Sequence, residues 1–242
     1  MSKDFKQALI LSYEYLPYDR LLLPAPGADG IIPQFDGYFA LSPIDLTSYK
    51  RSKRVGTIFH DYNLQQLNTM QVSKQADVLM LLLLQDGLFD DGVKRRNYTF
   101  YEARTLHDSS LSKNTHCVLA CDFGAAAEAE AFFEGSCGID LGPEMASSDG
   151  GIHAAAMGGI WLCTVYGFGG VRMRDGQLCI APRLHSQWRR LHFPLYWQGG
   201  RLEVTVSDKS VLVENKGEKA VSLWVSGSFV TILGGAGYEQ EI

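Results

Sequence analysis

The spacing of apolar residues changes character once along the chain, near residue 168. Before it, apolar positions recur at helical intervals; after it, short β-rich runs are separated by turn residues. Residues 4–15 read as a helix. Pro17, Pro24, Pro26 and Pro33 then break the chain, because proline removes a donor and restricts its neighbour. The segment Gln34-Phe35-Asp36-Gly37-Tyr38-Phe39 follows, with a further break at Pro43. Ser73 suits the N-cap of a helix over residues 74–85, apolar nearly all round and so expected to be buried, which Asp86-Gly87 would end. The pattern predicts further helices over residues 91–105, 109–122 (capped by Asp108) and 125–133, where Gly135 would stop the last of these. A loop is expected over residues 138–150. A fifth helix, rich in Ala and Gly and therefore fit for close packing, is expected over residues 151–166. Short sequential helices with apolar faces suggest helical hairpins in a layered structure.

The tail alternates at a period of two. Asp175-Gly176 sits between two β-rich runs and marks a hairpin. Leu202, Val204 and Val206 share one face of a strand, and residues 211–214, 220–225 and 229–233 supply three more. Gly199-Gly200, Asp208-Lys209 and Lys216-Gly217 are the turns of a small antiparallel β-sandwich.

Composition narrows the function classes. The 242 residues, 46% hydrophobic, can bury one large core or a domain plus a smaller one. A net charge of -5 argues against nucleic acid as a partner. Lys50, Arg51, Lys53 and Arg54 form a short basic cluster that reads as a solvated face. No apolar signal core opens the chain, and the run from Val78 to Leu84 is far shorter than the ~20 residues a membrane span needs. The five scattered cysteines read as reduced core residues of a cytoplasmic protein. Cys117 and Cys121 could share a helix face with His116 as metal ligands. No second ligand pair at zinc spacing accompanies them, so core packing is the expectation and no metal is called for.

Three helix starts carry polar groups beside glycines or serines. Lys74 and Gln75 stand at the mouth of an apolar helix. Ser109 and Ser110 follow His107-Asp108, where backbone N–H groups lack intrahelical acceptors. Gly150-Gly151-Ile152-His153 brings bare backbone and an imidazole to a third start. Two such N-termini with hydroxyls and an imidazole can form a phosphate site. Glu102, in an aromatic-rich helix, suits a sugar, whose faces are apolar and whose hydroxyls donate. Singly, each has a plainer reading: a serine cap, a hydrogen-bonded core histidine, a solvated lysine, a surface ion pair.

Taken together the segments resemble a known family. Lys74-Gln75-Ala76-Asp77-Val78, Thr105-Leu106-His107-Asp108-Ser109-Ser110-Leu111-Ser112, and Gly151-Ile152-His153-Ala154-Ala155 through Gly158-Gly159-Ile160-Trp161 resemble three successive motifs of glycoside hydrolase family 65. Gln34-Phe35-Asp36-Gly37 and Gly167-Phe168-Gly169-Gly170 are similar to two others. The resemblance implies mainly α structure with β: the later part of an (α/α)6 barrel in residues 1–168, then a C-terminal β-sandwich in residues 169–242. It implies sugar contacts at Lys74, Gln75 and Glu102, and phosphate contacts at Ser109, Ser110, Gly151 and His153.

The family's general acid, a glutamate in a Gly-Pro-Asp-Glu-Tyr-like segment, has no counterpart here. The expectation is a C-terminal portion of an inverting disaccharide phosphorylase, with no catalytic residue of its own and inactive alone. Its ligands would be a disaccharide or glucose and inorganic phosphate as co-substrate, with no other cofactor. Its protein partner would be the missing N-terminal half or a second copy. The alternatives are a non-catalytic carbohydrate- or phosphate-binding module, an unused remnant, or a portion of a hydrolase.

Overall fold

A computed structural model describes residues 26–52, 55–141 and 151–242. The helix expected over residues 4–15, Pro17, Pro24, Lys53, Arg54 and the stretch 142–150 lie outside the described residues. Five helices of eight residues or more are described: α1 (Asp77–Leu84), α2 (Asp91–Glu102), α3 (Ser112–Asp122), α4 (Ala126–Leu141) and α5 (Ala154–Leu162). A π-helical segment, Cys163–Phe168, continues α5. Eight strands follow: β1 (Val171–Arg174), β2 (Gln177–Ile180), β3 (Arg190–Trp197), β4 (Gly200–Ser207), β5 (Ser210–Asn215), β6 (Val221–Val225), β7 (Ser228–Ile232) and β8 (Gly237–Glu241).

The helix buried on nearly every side is α3 rather than α1. Residues Asn114 to Cys121 of α3 are all buried, whereas Leu84 at the end of α1 is exposed. The neighbours of α3 fix its role as the central helix. His116 meets the Phe132 ring at 5.3 Å, and the Lys113 side chain runs past Gly135, so α4 returns antiparallel to α3. Gly135 therefore does not end α4. It lets Lys113 pass, and the helix continues to Leu141.

Helix α5 runs parallel to α3. Asn114 faces Gly159 and Cys163, and Cys121 further along faces Gly167. The approach is close: a Cβ added at Gly159 would sit 1.7 Å from Asn114 Nδ2. α1 also packs on α3 and begins at the same end. Beside this bundle, Leu46, Ile58 and Leu67 make a small satellite core under the segment 41–72.

Two four-stranded sheets form the sandwich, in orders β1-β2-β6-β7 and β3-β4-β5-β8. Leu202, Val204 and Val206 are fully buried, as their alternation predicts. Pairing is antiparallel except between β2 and β6, which run parallel. Strands β3 and β8 were not predicted. Both are edges: β3 carries Pro194, which an edge tolerates, and β8 is Gly-Tyr-Glu-Gln-Glu with no apolar alternation.

The sandwich is bolted to the helices by charge and by rings. Arg174 Nε donates to Asp86 Oδ2 at 2.5 Å, while Lys94 pairs with the other oxygen of the same carboxylate. Arg172 Nη2 reaches Asp122 Oδ1 at 2.6 Å. Burial alone would raise the Asp86 carboxyl, but the Lys94 and Arg174 hydrogen bonds outweigh it and hold it below its ordinary range. Phe133 of α4, Phe168, and His185 and Trp188 of the β2–β3 connection form an aromatic cluster, the last two stacked at 5.0 Å.

Two stability predictions follow from these contacts. Asp86→Ala takes from the buried Lys94 ammonium its close partner, leaving it the exposed Asp91 at 4.0 Å, and should cost about 3–5 kcal/mol by urea denaturation, with the double variant Asp86→Leu/Lys94→Met recovering much of it. Gly159→Ala should lower stability by about 1–3 kcal/mol, read as a fall in melting temperature, because Asn114 must move.

Candidate functional site

The site is assembled at the starts of α1, α3 and α5. Ser73 does not cap α1. Its N–H donates to Arg104 O at 2.8 Å and its carbonyl accepts from Leu106 N at 3.2 Å, a two-stranded bridge with the segment after α2. This pairing delays α1 until Asp77 and leaves Lys74 and Gln75 in an exposed turn beside the 105–111 segment. Gln34 secures that turn from the other side, accepting from Ser73 Oγ at 3.2 Å and donating to Asp77 Oδ2 at 2.8 Å.

Gln75 Oε1 accepts from Ser109 Oγ at 3.0 Å, so the first two predicted starts meet directly. Ser109 and Ser110 are not the first turn of α3, which begins at Ser112. They occupy a tight turn in which Ser109 Oγ also accepts from Leu111 N at 3.2 Å. Asp108 is not a cap of α3; its Oδ2 accepts from Gly56 N at 3.3 Å. Asn114 Nδ2 reaches back to Ser110 O at 3.5 Å, and the same side chain is the one that presses on Gly159.

The third start lies at the same end because α3 and α5 are parallel. α5 begins at Ala154, five residues before Gly159, and α3 at Ser112, two before Asn114. At ~1.5 Å per helical residue, the two N-termini stand about 8 and about 3 Å out from one contact, on the same side. Among the described residues no hydrogen bond joins His153 to Ser109 or Ser110. Instead His153 is held by Asp140 in the last turn of α4: Nδ1 lies 2.7 Å from Oδ1, and the backbone N–H donates to Oδ2 at 3.1 Å. A carboxylate cannot donate, so the ring proton sits on Nδ1 and Nε2 remains for a ligand. Gly151 has φ 84, a backbone that favours glycine, with open space where a side chain would stand. Asp140 was not anticipated, because the stretch holding it was expected to be a loop.

Glu102 is the last residue of α2. Lys50 Nζ donates to its Oε1 at 2.5 Å and to its backbone O at 2.7 Å, and His107 Nε2 lies 3.7 Å from Oε1. The His107 imidazole and, after it, the Lys50 ammonium hold the Glu102 carboxyl at about 2 against the opposing effect of burial. Burial in turn keeps His107 low, and pushes His116 down to about 3, so both imidazoles are neutral at pH 7. Lys50 belongs to the basic cluster read as a solvated face, yet it is a paired residue of the site. Among the described residues no cluster of His, Cys, Asp or Glu is suited to hold a metal, and no helix is long and apolar enough to cross a membrane.

Glu102 makes stability pH-dependent in a defined direction. Its carboxyl is lower folded than unfolded, so it contributes stability above its ordinary value of 4.5 that drains away as pH falls toward 2. The contribution is on the order of 2–3 kcal/mol after screening of a partly exposed pair. Urea denaturation at pH 7, 4.5 and 3 should show a flatter acid limb for Glu102→Gln than for the wild type.

Residues 7–162 match the model of the glycosyl hydrolase family 65 central catalytic domain, and residues 171–232 match that of the family's C-terminal domain. Kojibiose phosphorylase of Escherichia coli (strain K12) is 41% identical over 212 residues, 88% of this chain and 28% of the relative. The kojibiose phosphorylase of Halothermothrix orenii is 42% identical over 214 residues, covering 86% of this chain and 27% of its own length. The α,α-trehalose phosphorylase of Geobacillus stearothermophilus is 32% identical over 82% of this chain. A solved structure of a human-microbiome protein assigned as a kojibiose phosphorylase superposes with a TM-score of 0.82 at 25% identity, covering 93% of this chain and 31% of that one. The chain thus spans less than a third of the length of these relatives, and by both domain matches and by its kinship with the disaccharide phosphorylases it belongs to glycosyl hydrolase family 65.

Proposed function

We propose that this chain supplies the sugar- and phosphate-contacting wall of an inverting α-glucoside phosphorylase. Lys74, Gln75 and Glu102 take the sugar; Ser109, Ser110, Gly151 and His153 take inorganic phosphate. The observation that supports the reading is the Gln75–Ser109 hydrogen bond, which ties the Lys74–Gln75 turn to the serine turn. Backbone N–H groups at the starts of α3 and α5 are donors suited to phosphate oxygens, and His153 Nε2, bare while Nδ1–H is given to Asp140, accepts from the hydroxyl of a hydrogen phosphate. Phosphate held there attacks the anomeric carbon from the face opposite the leaving sugar. The configuration inverts, and α-glucoside gives β-glucose 1-phosphate. Phosphate is already an anionic nucleophile, so it replaces the activated water of an inverting hydrolase. This chain's share is positioning and stabilisation of charge in an oxocarbenium-like state.

Protonation of the departing oxygen falls to a glutamate in the remainder of the family's catalytic domain, absent from this sequence. That remainder is the proposed partner. The exposed side of α5 and its approach, with Ile152, Met157 and Trp161, together with Leu141 at the end of α4, is the apolar face it would cover. Kojibiose is the first disaccharide to test, because the kojibiose phosphorylases compared share 33% to 42% identity with this chain and the trehalose phosphorylases 32% and 33%.

The test is glucose 1-phosphate release from kojibiose, trehalose and maltose with phosphate. The purified chain alone should show no turnover. The chain mixed with the complementary portion of the Escherichia coli relative should turn over kojibiose, and His153→Ala in that mixture should lower the rate on the order of 10²-fold, as loss of one positioned phosphate contact does. Robust turnover by the chain alone, abolished by Glu102→Gln, would overturn the reading. Glucose or phosphate binding without turnover in the mixture favours a non-catalytic binding module.

A further inference from the structure

His107 stands between the two halves of the site. Its Nδ1 lies 3.2 Å from Ser112 Oγ, at the first residue of α3, and its Nε2 lies 3.7 Å from Glu102 Oε1. The ring is packed on the His116 ring at 4.4 Å and the Phe132 ring at 4.9 Å, so it has little room to turn. The backbone at His107 is left-handed, with φ 57. Few residue types accept that conformation, although histidine and asparagine are among them. Glu102 is fixed from the opposite side. Lys50 bonds its side chain and its backbone carbonyl at once, which locks one to the other.

We propose that Lys50 and His107 are positioning residues that lock Glu102 to the start of α3, so that the sugar-side carboxylate and the serine turn move as one body. This rests on the reading of Glu102 and the serine turn as sugar and phosphate contacts. Its consequence is coupling: a sugar hydroxyl that engages Glu102 sets the turn that receives phosphate, and phosphate on the turn sets Glu102 for the sugar. The groups that act electrostatically around Glu102 and His107 are Lys50 from the helix Thr47–Arg51, Tyr98 from α2, and Lys113 and His116 from α3. Of these only Lys50 is a cation that contacts Glu102. The low Glu102 carboxyl is what such a clamp produces.

The clamp can be read in the chain itself, without ligand. With glutamate side-chain carbonyls ¹³C-labelled and Glu102 assigned through Glu102→Gln, the wild-type Glu102 resonance should stay in place between pH 6.5 and 4. In Lys50→Gln the midpoint should rise by about two pH units, from about 2 to the acid edge of that window, so that protonation becomes visible within it, and Lys50→Arg should behave as the wild type. In Lys50→Gln the amide resonances of Ser109 to Ser112 should follow Glu102 as it titrates. Adding His107→Asn, which suits the left-handed backbone, should leave Glu102 titrating while those amides stop following. A residue that only filled space would not transmit the titration. An unmoved midpoint in Lys50→Gln, or amides that follow Glu102 equally with asparagine at 107, would overturn the proposal. Should the double variant unfold, hydrogen exchange decides: faster exchange at the Ser110 to Ser112 amides of Lys50→Gln than of wild type at pH 4.5 supports the lock, and equal exchange overturns it. Titration of glucose and inorganic phosphate into the wild-type chain separates the parent reading. If neither moves the resonances of Lys74, Gln75 or Ser109 to Ser112, the ligand assignment fails although the clamp is measured. If the ligands do move them but the titration is not transmitted, only the lock fails.

Discussion

The contact between Asn114 and Gly159 is the constraint on which the site depends. Two parallel helices can bring their N-termini to one end only if their axes run close together, and closeness requires one of them to lack a side chain at the crossing. Gly159 provides that gap and the Asn114 side chain fills it. Asn114 then uses its amide to reach the Ser110 carbonyl, so the residue that sets the helix spacing also holds the serine turn. Packing, helix polarity and turn geometry are thus linked through one buried amide. Gly159, which costs α5 helix propensity, is what permits the approach.

Much of this was legible in the sequence because it depends on periodicity and on motifs. The helical stretch and the strands of the sandwich core follow the 3.6 and 2.0 patterns. The motif residues Gln75 and Ser109 meet, and Gln34 joins Ser73 to Asp77 across the first two motifs. What was not legible depended on tertiary contacts. Ser73 resembles a cap but is paired with the 104–106 segment, and that pairing, not local propensity, decides where α1 starts. Gly135 resembles a stop but serves as a passage for Lys113. Asp140 and Lys50 carry no local signal of function: their importance lies in His153, which is 13 residues away from Asp140, and in Glu102, which is 52 away from Lys50. Strand β8 escaped because it has no apolar alternation, whereas β3 offered one, Leu191, Phe193, Leu195 and Trp197 on the core side, interrupted by Pro194.

The join between helices and sandwich is unusual in relying on charges taken out of water. Asp86 serves cations from two directions, Lys94 of α2 and Arg174 of β1, and Arg172 on the same strand reaches Asp122 at the end of α3. Attraction at such sites offsets a large desolvation cost, so the net gain in stability is small while the penalty for a wrong alignment is large. The arrangement favours a single orientation of the sandwich on the helices more than it favours strength. The aromatic cluster of Phe133, Phe168, His185 and Trp188 supplies the non-directional part of the adhesion.

The π-helical segment Cys163–Phe168 gives that join a different kind of freedom. A π turn takes up one more residue than an α turn, so it shifts the rotational phase of everything after it. Upstream, α5 must present Gly159 to Asn114. Downstream, Gly167 must clear Cys121, and Phe168 must enter the aromatic cluster. A continuous α-helix would make these demands compete for one angular setting. With the extra residue between them, the face turned toward the ligand end and the face turned toward the sandwich are indexed separately, and substitutions on one side can accumulate without forcing the other out of register.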